Sequence, residues 1–100
     1  MELNININGS EVNATLIGRL DTAAATQFTI DMQPLLDNAD KVITMDCNQL
    51  AFISSSGLRL FLTLRKATIA QGGKVVITGM QPEIKQVFTI TGFLSLFEFK

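Results

Sequence analysis

Three consecutive serines, Ser54, Ser55 and Ser56, are the group of side chains in this sequence best suited to chemistry, and Gly57 follows them directly. The residues after Gly57 have helical periodicity, so the serines lie at the predicted start of a helix. One role for such a serine is structural, because its hydroxyl can accept a hydrogen bond from a free amide of the first turn. The other role is to accept a phosphate, whose charge is favoured at a helix N-terminus by the free amides and the helix dipole. Capping requires only one of the three serines, and Ser55 can serve both as the cap and as the phosphate acceptor.

The predicted helix, from about Ser55 to Ala70, has two different sides. At about 100° per residue, its broad buried side consists of Leu58, Leu60, Phe61, Leu64 and Ala67. The opposite margin consists of Ser55, Arg59, Leu62 and Lys66. This strip is either an ordinary polar helix face with one boundary leucine, or a small docking surface for a protein partner with Leu62 as its apolar anchor.

The absence of histidine bears most directly on catalysis, because it excludes a Ser-His-Asp or Cys-His triad and a phosphohistidine intermediate. The sequence also lacks a Walker A loop, a Rossmann glycine fingerprint and a CxxC pair. A serine hydrolase is disfavoured, since there is neither a general base nor a GxSxG motif. The single cysteine, Cys47, belongs to an apolar run and is expected to be a buried, inert thiol. We therefore expect a binding protein rather than an enzyme, with no metal and no cofactor.

Length and charge restrict the class of partner. A chain of 100 residues with 47% hydrophobic residues can build one packed core, so residues 1–100 are expected to form one domain. The net charge of -1 and the scattered basic residues argue against direct binding of nucleic acid or an anionic membrane. No apolar stretch approaches the roughly 20 residues that span a bilayer, and the first residues do not resemble a signal peptide. A cytoplasmic location is expected.

The first third of the chain predicts a β-hairpin followed by a helix. Apolar and polar residues alternate in 3–7 and in 12–16, and Asn8-Gly9-Ser10 between them is a turn. Asp21 is placed to cap the next helix, which buries a stripe at helical spacing. Pro34 should kink or shorten this helix. The stripe consists of Ala24, Phe28, Met32 and Leu35.

The rest of the chain alternates strands and helices. Residues 42–45 and 75–77 are nearly continuous apolar runs, which is typical of central parallel strands covered on both faces. A loop is predicted from Asp46 to Ser54. The remaining boundaries are a helix stop at Gly72-Gly73, a helix from Pro82 to Gly92 and a short edge strand at 96–99. The order β-β-α-β-α-β-α-β indicates an α/β fold with a mixed, mostly parallel sheet, an N-terminal hairpin and about three crossover helices.

Several segments together resemble a known family. Gly18-Arg19-Leu20-Asp21, then Asp46, then the run from Leu50 through Ser54-Ser55-Ser56-Gly57-Leu58-Arg59, resemble the STAS domain of sulfate transporters and anti-sigma-factor antagonists. Gly72-Gly73-Lys74, Thr91-Gly92-Phe93 and Leu96-Phe97 extend the resemblance over essentially the whole chain. Asp21 and Asp46 match family positions, and we interpret them as a helix cap and a former of the loop after the strand.

The resemblance implies a bacterial regulatory protein controlled by phosphorylation. In stand-alone members, a serine-kinase anti-sigma factor binds the unmodified antagonist and releases its sigma factor. Phosphorylation by the kinase lowers the affinity, and a PP2C-type phosphatase restores it. The family's acceptor falls on Ser55, whereas many phosphorylated members carry Asp where this chain has Ser54. Ser54 and Ser56 are therefore alternative acceptors.

The expected partner-binding residues are Asp21, Ser54, Ser55, Ser56, Arg59, Leu62 and Lys66. The alternative function is that of a STAS adaptor without phosphorylation, for example a subunit bound to the ATPase of an ABC-type lipid transporter.

Overall fold

The computed structural model describes residues 1–100 and contains a five-stranded sheet with four α-helices. In chain order the elements are β1 (Glu2–Asn8), β2 (Glu11–Leu20), α1 (Thr22–Asp31), α2 (Gln33–Asp37), β3 (Val42–Ile53), α3 (Ser55–Gln71), β4 (Lys74–Thr78), α4 (Pro82–Ile90) and β5 (Glu98–Phe99). A 3₁₀ turn at Leu94–Leu96 precedes β5. The prediction of a mixed α/β domain with an N-terminal hairpin is confirmed.

The hairpin sets one edge of the sheet. β1 and β2 pair antiparallel in the register Glu2 to Ile17 through Asn8 to Glu11, and Gly9 in the turn has a φ of 63°. That left-handed conformation is easily adopted only by glycine, which explains the turn chemistry. The start of the chain is thereby held at the far end of β2, with the Cα of Met1 lying 3.6 Å from where a Cβ on Gly18 would be.

All four helices lie on one face of the sheet. The strands follow the order β1-β2-β3-β4-β5, and right-handed crossovers that always step in the same direction place every helix on the same side. One core cluster accordingly joins the inward strand residues to Phe28 of α1, Leu35 of α2, Phe61 of α3 and Phe88 of α4. The prediction of cover on both faces is wrong for residues 42–45, because Val42 and Thr44 are only half-buried. In β4 the three consecutive residues Val75, Val76 and Ile77 are all buried, as their apolar run indicates.

The predicted first helix is divided into two. α1 ends at Asp31, and α2 begins at Gln33 with Pro34 in its first turn. Proline is tolerated there because its missing N–H has no intrahelical acceptor at that position. The expected interruption near Pro34 is thus confirmed, and Met32 lies between the two helices as a buried residue.

The strand β3 is much longer than the sequence indicates. A loop was expected from Asp46 to Ser54, but β3 continues to Ile53 and stays paired with β2. Its register against β2 shifts twice, between Asp46 and Gln49 and between Leu50 and Phe52. Such bulges insert an extra residue and bend the strand. They also interrupt the in-out alternation that identifies a strand in a sequence, which is why the loop prediction is wrong.

The C-terminal third packs through phenylalanines. Phe88 of α4 contacts the rings of Phe61, Phe97 and Phe99 edge to face, with centroid distances of 5.8, 5.5 and 5.7 Å. Such pairs add to the stabilisation from burial alone. The helix stop at Gly72 is confirmed by its φ of 84°. The predicted edge strand is shorter than expected, because only Glu98–Phe99 pair with β4.

Candidate functional site

Two helices begin side by side at the carboxyl ends of β2 and β3. Asp21 caps α1, because its Oδ1 accepts a hydrogen bond from the Ala24 amide at 2.8 Å. Ser54 caps α3, because its Oγ accepts from the Gly57 amide at 3.1 Å. The Ser54 amide donates to the Leu20 carbonyl at 2.8 Å, which ties the two helix starts together. The expected cap at Asp21 is confirmed, whereas in the serine run the cap is Ser54 and not Ser55.

The three serines occupy different environments. Ser54 is half-buried and used as the cap, while Ser55 is exposed and its hydroxyl has no hydrogen-bond partner in the protein. Ser56 is half-buried and faces α1. The amides of Ser55 and Ser56 also lack an acceptor, since they precede the first intrahelical bond of α3. An anion on Ser55 would therefore meet free N–H donors and the positive end of the helix dipole.

Gly57 sets the position of this helix start against β2. A Cβ on Gly57 would lie 2.7 Å from Cγ of Leu20 and 3.0 Å from its carbonyl oxygen. Only glycine allows so close an approach, so the residue fixes where the serines sit relative to Asp21.

The docking strip that the sequence suggests is only partly exposed. Arg59 and Lys66 are exposed on α3, as the helical wheel indicates. Leu62 is half-buried and packs against the core cluster, so it does not stand free as an apolar anchor. Of the predicted buried side, Leu60 and Ala67 are also only half-buried. α1, α2 and β4 all contact α3, so burial along the helix does not follow the even division of the wheel.

An open groove of about 420 Å³ runs between α1 and α3. Five hydroxyl side chains and one charged residue line it, and a small apolar part comes from Ala25 and Leu60. The hydroxyl residues and the cation are Thr22, Thr26, Thr29, Ser56, Thr63 and Arg59. Neither the serine run nor the helical wheel of α3 predicts the α1 side of this groove. The threonines are spaced four and three residues apart along α1, which places them on one helix face. This spacing is visible in the sequence and indicates a hydroxyl-lined face of α1.

A second feature missed in the sequence lies at the end of the two strands. The guanidinium carbon of Arg19 is 4.4 Å from the ring centroid of Phe52. The two residues are paired across β2 and β3 only because of the second bulge in β3. Phe52 remains 38% exposed, so a cation–π pair stands on the surface next to the start of α3.

The single cysteine, Cys47, is buried in β3. Burial, and to a smaller extent the nearby Asp46 carboxylate, raises the pKa of the Cys47 thiol to about 12. Asp46 itself accepts hydrogen bonds from the Asn48 amide and side chain at 3.0 and 2.7 Å, which closes the first bulge. No group of three or more His, Cys, Asp or Glu side chains is arranged to hold a metal ion. No helix is both long enough and apolar enough to cross a bilayer.

Comparison with known proteins agrees with this geometry. The profile of the STAS domain matches residues 2–100. This chain belongs to the STAS domain family. BtrV of Bordetella bronchiseptica, a proposed anti-sigma factor antagonist, is 33% identical over 84 residues, which cover 84% of this chain and 72% of BtrV.

Solved structures share the fold. A proposed anti-sigma factor antagonist of Thermotoga maritima has a TM-score of 0.86 at 16% identity, covering 97% of this STAS domain and 84% of that chain. SpoIIAA, a Bacillus cell fate determinant, has in its phosphorylated form a TM-score of 0.74 at 21% identity, covering 99% and 91%. The protein is therefore a STAS domain with the fold of an anti-sigma factor antagonist.

Proposed function

We propose that this STAS domain is an anti-sigma-factor antagonist that binds a serine-kinase anti-sigma factor, and that phosphorylation of Ser55 switches the binding off. The observation that carries the proposal is the position of Ser55. Its hydroxyl is exposed and unbonded, at the first residue of α3, where two backbone amides lack acceptors.

The phosphoryl transfer itself requires little of this chain. The γ-phosphoryl group of ATP would move to Oγ of Ser55, the hydroxyl proton would leave to solvent or a kinase base, and ADP would depart. The product carries roughly -1.5 to -2 charges at neutral pH. The free amides of α3 stabilise that charge, so the modification changes a surface without unfolding the domain. A PP2C-type phosphatase would hydrolyse the phosphoserine and restore binding.

The other two serines are poorer acceptors on structural grounds. Phosphate on Ser54 would remove the cap, because its Oγ already accepts from the Gly57 amide and the residue is half-buried. Ser56 is half-buried in the groove against α1, where a kinase has less access. Ser55 is the one serine of the three that is both exposed and free of internal bonds.

The position before the acceptor supports the same interpretation. Many phosphorylated members of the family have Asp where this chain has Ser54. That position is the N-cap of α3, and Ser and Asp serve comparably as N-caps. The departure from the family pattern therefore preserves the structural role of the residue.

The proposal places the protein in the cytoplasm as a binding protein, with no direct contact to nucleic acid or membrane. It is tested by incubating the purified domain with ATP and a serine-kinase anti-sigma factor encoded with it, followed by mapping of phosphate by mass spectrometry. Phosphate on Ser55 is the expected result. The switch would be refuted if the domain stayed unphosphorylated with a kinase that phosphorylates another antagonist. Phosphate on Ser54 or Ser56 would refute the assignment of Ser55 as the acceptor.

Binding measurements separate the switch from a constitutive adaptor. Ser55→Asp should bind the kinase at least tenfold more weakly than the wild type, since 1.4 kcal/mol of lost interaction corresponds to a factor of about 10. Ser55→Ala should bind within about a factor of two of the wild type, because the hydroxyl makes no bond in the free protein. Equal affinities for the two variants would favour the adaptor.

A further inference from the structure

The groove between α1 and α3 is chemically biased toward an anion. Arg59 is the only charged residue among those that line it, and no carboxylate lies within 4.0 Å of its guanidinium. Of the five hydroxyls, Thr29 donates to the Ala25 carbonyl at 2.7 Å and Thr63 donates to the Arg59 carbonyl at 3.0 Å. The hydroxyls of Thr22, Thr26 and Ser56 have no such partner and can donate to a ligand.

No carboxylate is among the residues that line the groove. Asp21 lies just before Thr22 but outside the lining, and its Oδ1 accepts the capping bond from the Ala24 amide. The groove thus offers one unpaired guanidinium and three free hydroxyl donors without an opposing carboxylate. The two oxygens of a carboxylate can accept hydrogen bonds from the guanidinium and from the hydroxyls. A guanidinium binds a carboxylate in a bidentate manner.

Arg59 is also within reach of the proposed phosphorylation site. It follows Ser55 by four residues and Ser56 by three, and side chains at both spacings meet on the surface of a helix. Both Ser55 and Arg59 are exposed, so neither has to leave the core to reach the other. Arg59 thus lines the groove and is also spaced to meet Ser55 on the surface of α3.

We propose that Arg59 is the anchor for an acidic side chain of the anti-sigma factor seated in this groove, and that phosphate on Ser55 inactivates the antagonist by capturing Arg59. The proposal rests on the function proposed above and adds the recognised chemistry and the means of switching. Phosphate is a stronger ligand for a guanidinium than a neutral serine, and it is held on the same chain. The partner's carboxylate then loses its counter-charge and also faces an added anion.

Capture of Arg59 and simple repulsion predict opposite changes in the effect of Ser55→Asp on affinity when Arg59 is replaced. If the phosphate acts only by repelling an acidic partner, Arg59 partly screens it, and Arg59→Gln leaves the effect of Ser55→Asp the same or makes it larger. If the phosphate acts by capturing Arg59, Arg59→Gln removes the group that is captured. The effect of Ser55→Asp must then become smaller.

The first test is a double-mutant cycle on affinity for the serine-kinase anti-sigma factor, measured by calorimetry at two salt concentrations. Arg59→Gln alone should weaken binding about tenfold or more, as loss of a charge-assisted hydrogen bond does. Thr26→Val, which removes a hydroxyl from the α1 side, should weaken it severalfold. Lys85→Gln, which removes an exposed cation of α4 outside the groove lining, is the control and should stay within about twofold.

The cycle distinguishes failure of this inference from failure of the proposed function. If the wild type binds and is phosphorylated but Arg59→Gln binds equally well, or if Ser55→Asp has an undiminished effect in that background, the capture mechanism is wrong. If the wild type does not bind the kinase at all, the proposed function fails, and the groove fails with it as a site for this partner.

A partner-free measurement decides the capture of Arg59 in every case. Phosphoserine is incorporated at position 55 by genetic encoding, and the side-chain Nε–H resonance of each arginine is followed by NMR as the phosphate is titrated through its pKa near 6. The Arg59 resonance should shift with the phosphate and become protected from solvent exchange, while that of Arg19 should not. An Arg59 resonance that is indifferent to the phosphate would overturn the proposal.

Discussion

The cap of α3 can be tested by a single hydroxyl deletion. Ser54→Ala removes the acceptor for the Gly57 amide, whose bond to Ser54 Oγ is 3.1 Å long. Loss of a serine N-cap decreases stability by about 1 kcal/mol, within a range of about 0.5–2 kcal/mol. The helix carries Leu58, Phe61 and Leu64 of the core, so its first turn cannot fray without loosening the domain. For about 100 residues the loss corresponds to a fall in Tm of roughly 4–8 °C.

The assay is thermal and urea unfolding of the variant beside two controls. Ser55→Ala, next in sequence but with no hydrogen bond, should stay within about 0.5 kcal/mol of the wild type. Ser54→Asp keeps an acceptor and adds a charge favoured by the helix dipole, so it should be at least as stable as the wild type. The assignment of the cap would be refuted if Ser55→Ala proved as destabilising as Ser54→Ala, or if Ser54→Ala had no effect.

Two further predictions concern Gly57 at the start of α3 and the buried Cys47 of β3. Gly57→Ala should destabilise the domain despite the roughly 1 kcal/mol that alanine gains over glycine in a helix, because the new Cβ would lie 2.7 Å from Leu20 and overpacking typically loses 1–3 kcal/mol. Its effect should shrink in a Leu20→Ala background, and strict additivity would contradict the steric explanation. The Cys47 thiol has its pKa raised from 9.0 to about 12 in the folded state, so its contribution to stability should be constant below about pH 9 and decrease as pH rises toward 12. The free energy of unfolding of Cys47→Ala should decrease less between pH 9 and 12 than that of the wild type. Iodoacetamide should label the wild type at neutral pH only under unfolding conditions.

The sequence predicts the elements of this fold far better than the contacts between them. Asp21 is visible as a cap because a capping residue and its helix are adjacent in the chain. The course of β3 is not visible, since its two bulges break the alternation between Cys47, which is buried, and Leu50, which is buried three residues later. The apolar run at the start of β3 indicates burial but not on how many faces.

Features of the candidate site that depend on one segment can also be predicted from the sequence, whereas those that depend on contacts between segments cannot. Helical periodicity places Ser55 and Arg59 on one exposed surface of α3 without knowledge of any neighbour. The choice of Ser54 as the cap depends on the residue at which the helix begins, and a sequence pattern leaves that uncertain by one or two positions. The groove depends on how α1 packs against α3, and the contact of Arg19 with Phe52 depends on the register across a bulge. These are tertiary facts that no single segment encodes.

The register of the two edge strands has a consequence for anything tethered to this domain. Glu2 pairs with Ile17, so Met1 leaves β1 beside Gly18, three residues before Asp21. At the opposite edge Phe99 pairs with Ile77, which in turn pairs with Met45 of β3. Lys100 therefore lies level with the first half of β3. With strands about 4.8 Å apart, that end lies three strands from β2 and several residues short of the serines. A flanking domain or an affinity tag joined at Met1 would be held at high effective concentration next to the docking edge, whereas one joined at Lys100 would leave Ser55 and the groove accessible.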